Sequence, residues 1–141
     1  MNKKERYKYL HPDFNRGIYL VRYTGKGRID KPKAQNKLWI PTGACKFGQS
    51  LHLKDVKKRY EEHFKEEKDE IKMHILAEIQ NRDDIDKIEK KLHEHFNDRR
   101  LRTKDKDGNP KGTSEWMENI DSKELKKAFK KIFLEHFHVS V

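Results

Sequence analysis

One stretch constrains this chain more than any other. Residues 17–23, GIYLVRY, are β-branched and aromatic in a sequence where 41% of residues are charged and 33% are hydrophobic. Such a run reads as a strand. Alternation puts Ile18, Leu20 and Arg22 on one face and Tyr19, Val21 and Tyr23 on the other. A strand this apolar does not need a phenol at position 19, so Tyr19 asks for a reason beyond packing.

The rest of the chain supplies the partners for that strand. After a basic interval, TGKGRIDKPKAQN (24–36), the strand pattern resumes in KLWI and ACKFG, interrupted by PTG, which predicts a bend or bulge. These two halves pair with GIYLVRY as an antiparallel hairpin around a long basic loop. DVKKRYEEHFKEEKDE (55–70) is helical, with Val56, Tyr60 and Phe64 on one stripe. KMHILAEI (72–79) reads as a third strand. NRDDIDKIEKKLHEHF (81–96) is a second helix with Asn81 as N-cap and acidic residues in its first turn. Residues 97–116 read as a basic, Gly/Asn-rich loop. A last helix spans about 121–138, opening on the capping-box pattern DSKE. The expectation is a single α+β domain over 1–141: a small three-stranded antiparallel sheet flanked by helices, with 24–36 as a basic loop insertion.

Charge narrows the function. The net charge is +10, and residues 1–60 carry 16 Lys and Arg against 4 Asp and Glu, whereas residues 61–141 carry 18 against 20. That asymmetry reads as one surface facing a polyanion, nucleic acid foremost. A lone Cys45 excludes an internal disulfide framework and fits a reducing compartment. No apolar run is long enough to cross a membrane, and MNKKERYKYL lacks the apolar region of a signal peptide, so a cytoplasmic protein of a bacterial or phage-infected cell is expected. The histidine pairs HEH (93–95) and HFH (136–138) are spaced i, i+2 and point to different sides of a helix, which excludes a structural zinc site. TGKGR lacks the Lys-Ser/Thr of a phosphate loop.

Two helical positions stand out. Glu89 sits at the margin of the stripe Ile85, Ile88, Leu92 and Phe96. It is either an edge carboxylate turned to water or paired with His93, or one that needs a cation or a donor; periodicity favours the former. Arg59 and His63, one turn apart beside Tyr60 and Phe64, are either two donors aimed at one place or part of a solvated face.

Taken in order, GIY (17–19), KFG (46–48), KRYEEHF (58–64) and KIEKKLHEHF (87–96) resemble the motifs of the GIY-YIG nuclease superfamily, in the phage-type variant with Lys in place of the second motif's tyrosine. SEWM (114–117) resembles the Glu-Trp-aromatic ending of phage-type members. The resemblance covers about residues 16–117 and resolves both alternatives toward function. It implies a divalent-metal-dependent DNA endonuclease in which Tyr19 activates water and Lys46 favours its phenolate. It further implies that Arg59 stabilises the phosphate, His63 is a second donor, and Glu89 holds one Mg²⁺ or Mn²⁺ per site. Asn97 and Asn119 are both candidates for the family's asparagine. Lys26, Arg28, Lys31 and Lys33, with Arg99, Arg100, Arg102 and Lys104, are expected to grip the phosphates of double-stranded DNA, the chain acting as a monomer or weak homodimer. The alternative is a catalytically inactive nucleic-acid-binding module on the same scaffold.

Overall fold

The structure, a computed structural model, describes residues 16–33 and 36–138, with backbone alone at 32 and 33. It is built on β1 (Gly17–Tyr23), β2 (Arg28–Lys33), β3 (Asn36–Ile40), β4 (Cys45–Ser50), α1 (Leu53–His63), β5 (Ile71–Glu78), α2 (Arg82–His95), β6 (Arg100–Lys104), β7 (Pro110–Met117) and α3 (Ser122–His136). The strands make one curled, seven-stranded antiparallel sheet in the order β2-β3-β6-β7-β4-β1-β5.

The strands expected from GIYLVRY, ACKFG and KMHILAEI lie together at one end of it. β1 pairs with β4 on one side, Tyr19 opposite Gly48, and with β5 on the other. Three differences enlarge the sheet beyond the expectation. The basic interval 24–36 is largely strand, since β2 pairs with β3 as a ribbon at the sheet's edge. KLWI and ACKFG are separate strands rather than one bent strand, and β3 lies beside β2 and β6, away from β4. The segment read as a loop over 97–116 contributes β6 and β7, which pair with each other and close the gap between β3 and β4. These strands are held by backbone hydrogen bonds while most of their side chains face water, so they carry no apolar alternation to read.

The two faces of β1 separate as alternation predicts. Ile18 and Leu20 enter a core with Cys45, Phe47, Met117 and the stripes of α2 and α3: Ile85, Ile88, Leu92, Leu125, Ala128 and Ile132. Tyr19, Val21 and Tyr23 enter a second core with Leu38, Ile40, Trp116 and α1, represented by Leu53 and Val56, then Phe64 just beyond it. Burying a side chain of this size contributes about 1.5–3 kcal/mol, and β1 is covered on both faces, which is why it alone reads as a continuous apolar run. The caps are local: Asn81 accepts from Asp84 N at 3.2 Å, and Asp121 from Lys123 N and Glu124 N at 3.1 and 3.4 Å. The first helix stops at His63, and a 3₁₀ segment, Lys65–Glu70, replaces its expected continuation to 70. His136 joins α3 to α2 through Asp84 at 2.7 Å. No helix among the described residues is long and apolar enough to cross a membrane.

Candidate active site

An open basin of about 840 Å³ lies on the α1 side of the sheet. Its chemistry comes from four elements. β1 provides Tyr19, β4 Lys46, α1 Arg59, Tyr60 and His63, and β7 Glu115. Asp30 and Asn36, from the edge ribbon, form part of the rim.

Tyr19 is held there by its neighbour on β4. Its phenol crosses directly over Gly48, where a Cβ would stand 2.3 Å from the Tyr19 hydroxyl oxygen. Glycine at 48 is therefore a clearance for the ring, which explains in physical terms why a tyrosine on one strand is matched by a glycine on the next. The ring is 6% exposed and meets Tyr60 edge-on, with centroids 6.1 Å apart and the two hydroxyls at 3.4 Å. Burial, and then the hydrogen bond to Tyr60, push the Tyr19 pKa well above the usual phenol value; the Lys46 and Arg59 charges pull it down by less. In the free protein Tyr19 is accordingly a neutral phenol.

Two of the polar groups around it each face a carboxylate. Lys46 Nζ lies 3.1 Å from Glu115 Oε2 and 5.7 Å from the Tyr60 ring centroid. His63 Nε2 lies 3.4 Å from Asp30 Oδ2. Arg59 is exposed and makes no ion pair or hydrogen bond among the described residues, so its guanidinium is available to an anion. Glu115 reaches the basin because β7 is irregular there. Opposite β6, the register jumps from Arg100↔Met117 to Arg102↔Thr113, and the Ser114 hydroxyl ties off the distortion by bonding to Leu101 O and accepting from Trp116 N. Such irregularities re-aim side chains.

Glu89 is placed elsewhere. It lies on α2, whose stripe packs on the opposite face of the sheet, and it is absent from the basin's lining. Its Oε1 meets His93 Nε2 at 3.3 Å, one of the two arrangements that periodicity alone favoured, while Oε2 is buried without a hydrogen-bond partner among the described residues. The structure thus brings together Tyr19, Lys46, Arg59 and His63 of the expected site and sets Glu89 apart, behind the sheet. Two basin residues were missed as such. Tyr60 was hidden in an apolar stripe, and Glu115 was signalled by the SEWM ending. Neither Asn97 nor Asn119 lines the basin; Asn119 accepts from Arg22 at 2.7 Å, in a clamp that also binds Gly43 O and Ile120 O.

The expected phosphate contacts divide similarly. Lys26, Lys31, Arg102 and Lys104 are exposed. Arg28 lies over the Phe64 ring at 4.2 Å and 3.7 Å from Glu67, Arg99 forms a two-pronged pair with Glu124, and Arg100 donates to Ser114 O at 2.8 Å. Those three are engaged within the fold. The Lys33 side chain lies outside the described residues.

An α+β domain with a polar, tyrosine-floored basin on one sheet face is the class this geometry defines. The chain belongs to the T5orf172 domain family, whose model matches residues 29–133, and that domain is related to GIY-YIG and HNH-type nuclease-like phage domains. Membership points to a nuclease or nucleic-acid-binding role, and with it to a nucleic-acid partner. The matched span contains Lys46, Arg59, His63 and Glu115 and begins after Tyr19. No curated protein and no solved structure matches the chain.

Proposed function

We propose that the chain is a divalent-metal-dependent DNA endonuclease of the GIY-YIG type, with Glu115 rather than Glu89 as its metal-holding carboxylate. The observation that carries this reading is the convergence of Tyr19, Lys46, Arg59, His63 and Glu115 on one basin. Of the two carboxylates there, Asp30 faces His63, whereas the Glu115 side chain is 63% exposed and, among the described residues, pairs with the Lys46 ammonium. An exposed carboxylate in a wet, open basin fits a hard cation such as Mg²⁺ or Mn²⁺. Among the described residues no three such groups converge, so one carboxylate would hold the ion together with oxygens of the substrate and water. Bound there, the ion would supply charge neutralisation at the scissile phosphate and leaving oxygen, and would add to Lys46 and Arg59 in favouring the Tyr19 phenolate.

The chain's own groups then have distinct tasks. As the phenolate that the bound ion, Lys46 and Arg59 would favour, Tyr19 Oη would accept a proton from the attacking water; Tyr60, 3.4 Å away, orients the Tyr19 ring oxygen. Lys46 opposes the desolvation that keeps Tyr19 neutral. Arg59, free of protein partners among the described residues, meets the negative charge that grows on the phosphate, a role worth about 3–4 kcal/mol for a positioned donor. His63 stands one turn further along α1 as a second donor. One basin per chain cuts one strand per event.

The test is conversion of supercoiled plasmid to the nicked form with Mg²⁺ or Mn²⁺, with EDTA, and with Tyr19→Phe. Metal-dependent nicking that is lost in Tyr19→Phe, with DNA affinity retained, is the expected result. A protein that binds plasmid but never cuts it in either metal is instead a binding module on the same scaffold.

A further inference from the structure

The edge ribbon has a second face that the basin does not use. Leu38 and Ile40, at 2% and 0% exposure, point inward, whereas Ile29 and Trp39, paired across β2 and β3, point outward at 57% and 55% exposure. Trp39 is not loose. Its six-membered ring lies against Gly27, where a Cβ would come within 2.4 Å of it, and Gly27 holds φ at +116°, which a side chain would disfavour. The indole is thus fixed on the ribbon with more than half its surface open.

Cations surround it. Lys37 is two residues along β3 on the same face and pairs in register with Lys104 of β6. Extending that antiparallel register by two residues sets Arg102 beside Trp39. All three cations are exposed, and none of positions 29, 37, 39, 102 and 104 is acidic. Lysine is depleted at the centres of protein–protein interfaces. An aromatic platform fringed by Lys and Arg is instead the composition that holds an unpaired polynucleotide strand.

Topology adds a second argument. Asp30, Asn36 and Leu38 of this same ribbon line the basin on its inner face, and among the described residues β2 is an edge strand of the sheet. A polynucleotide touching both faces must turn around one strand's edge. Duplex DNA, with a persistence length of about 150 base pairs, resists that turn, whereas a single strand makes it readily.

We propose that the outward face of the β2-β3-β6 ribbon is a binding platform for an unpaired strand, a base stacking on Trp39 and the flanking phosphates lying on Lys37, Arg102 and Lys104. Its purpose, delivering that strand round the edge to the basin, rests on the nuclease reading; the binding itself does not.

The test uses the full chain in EDTA, titrated with a labelled oligothymidylate of about 16 nucleotides and with a duplex of equal length. Trp39→Ala should weaken single-strand binding about tenfold and change duplex binding by less than about threefold, with Trp39→Phe recovering most of the loss. Trp116 is 7% exposed, so quenching of intrinsic fluorescence by the oligonucleotide should be large in the native chain and nearly absent in Trp39→Ala. Unchanged single-strand affinity in Trp39→Ala, or equal losses for both ligands, overturns the platform. So does a sedimentation result in which Trp39→Ala abolishes self-association and leaves oligonucleotide affinity untouched. A chain that binds oligothymidylate through Trp39 yet never cuts DNA keeps the platform and removes the nuclease reading.

Discussion

Replacing Glu115 by Gln, and separately Glu89 by Gln, divides the two carboxylates that the sequence offers the site. The Glu115→Gln change removes one charge from an ion pair whose side chains are 63% and 24% exposed, at 3.1 Å. Exposed pairs of this kind contribute about 0–1 kcal/mol, so the urea midpoint should barely move. Its effect on cleavage should be far larger, about 10²–10³-fold, the loss seen when one positioned electrostatic group is removed from a transition state. Glu89→Gln inverts the pattern. That carboxylate is 17% exposed, meets His93 at 3.3 Å, and buries its second oxygen without a partner among the described residues. Neutralising it weakens the contact with His93 but relieves a buried carboxylate oxygen that lacks a partner among the described residues, so stability should change by no more than about 1 kcal/mol. Cleavage should stay within about threefold of the native rate, because the residue stands behind the sheet. Single-turnover nicking of supercoiled plasmid in Mg²⁺, with urea unfolding of each variant, reads both quantities. If Glu89→Gln abolishes nicking while Glu115→Gln retains it, the assignment from basin geometry is refuted.

Two further outcomes follow from the packing of Tyr19. Gly48→Ala places a methyl 2.3 Å from the Tyr19 oxygen, so the ring must move; stability should fall by about 1–3 kcal/mol and nicking by at least about tenfold. Native activity in that variant would mean that Tyr19 position is unimportant. Burial raises the pKa of Tyr19, Tyr23 and Tyr60 in the folded chain, with hydrogen bonds to Tyr60 and Glu67 adding to it for the first two. The unfolded chain ionises first, near the ordinary phenol value of about 10. The stabilisation is therefore complete below about pH 10 and is lost as pH rises above it. Urea midpoints measured from pH 8 to 11 should be level and then fall, and Tyr60→Phe should soften the decline.

The parts of this protein that were legible in its sequence are those fixed by neighbours within one element. The two faces of GIYLVRY, the stripe of α2 and the caps at Asn81 and Asp121 follow from strand and helix periods and local capping chemistry, and each stands as read. KFG and KRYEEHF were legible as a resemblance, and the pairing of Tyr19 with Gly48 supplies the steric reason for the first. Glu89 shows where this stops. Periodicity put it at the edge of a stripe, but the face of the sheet on which α2 packs is decided by the whole chain, and that face is the one away from Tyr19. Glu115 is the converse case: no periodicity marks it, and it enters the basin only because two polar strands, β6 and β7, pair out of regular register beside β4. Backbone hydrogen bonds hold such strands and leave almost no trace in side-chain pattern. Local sequence thus determined which faces were apolar and which residue types carried chemistry, whereas tertiary pairing decided which of two glutamates shares a basin with the tyrosine.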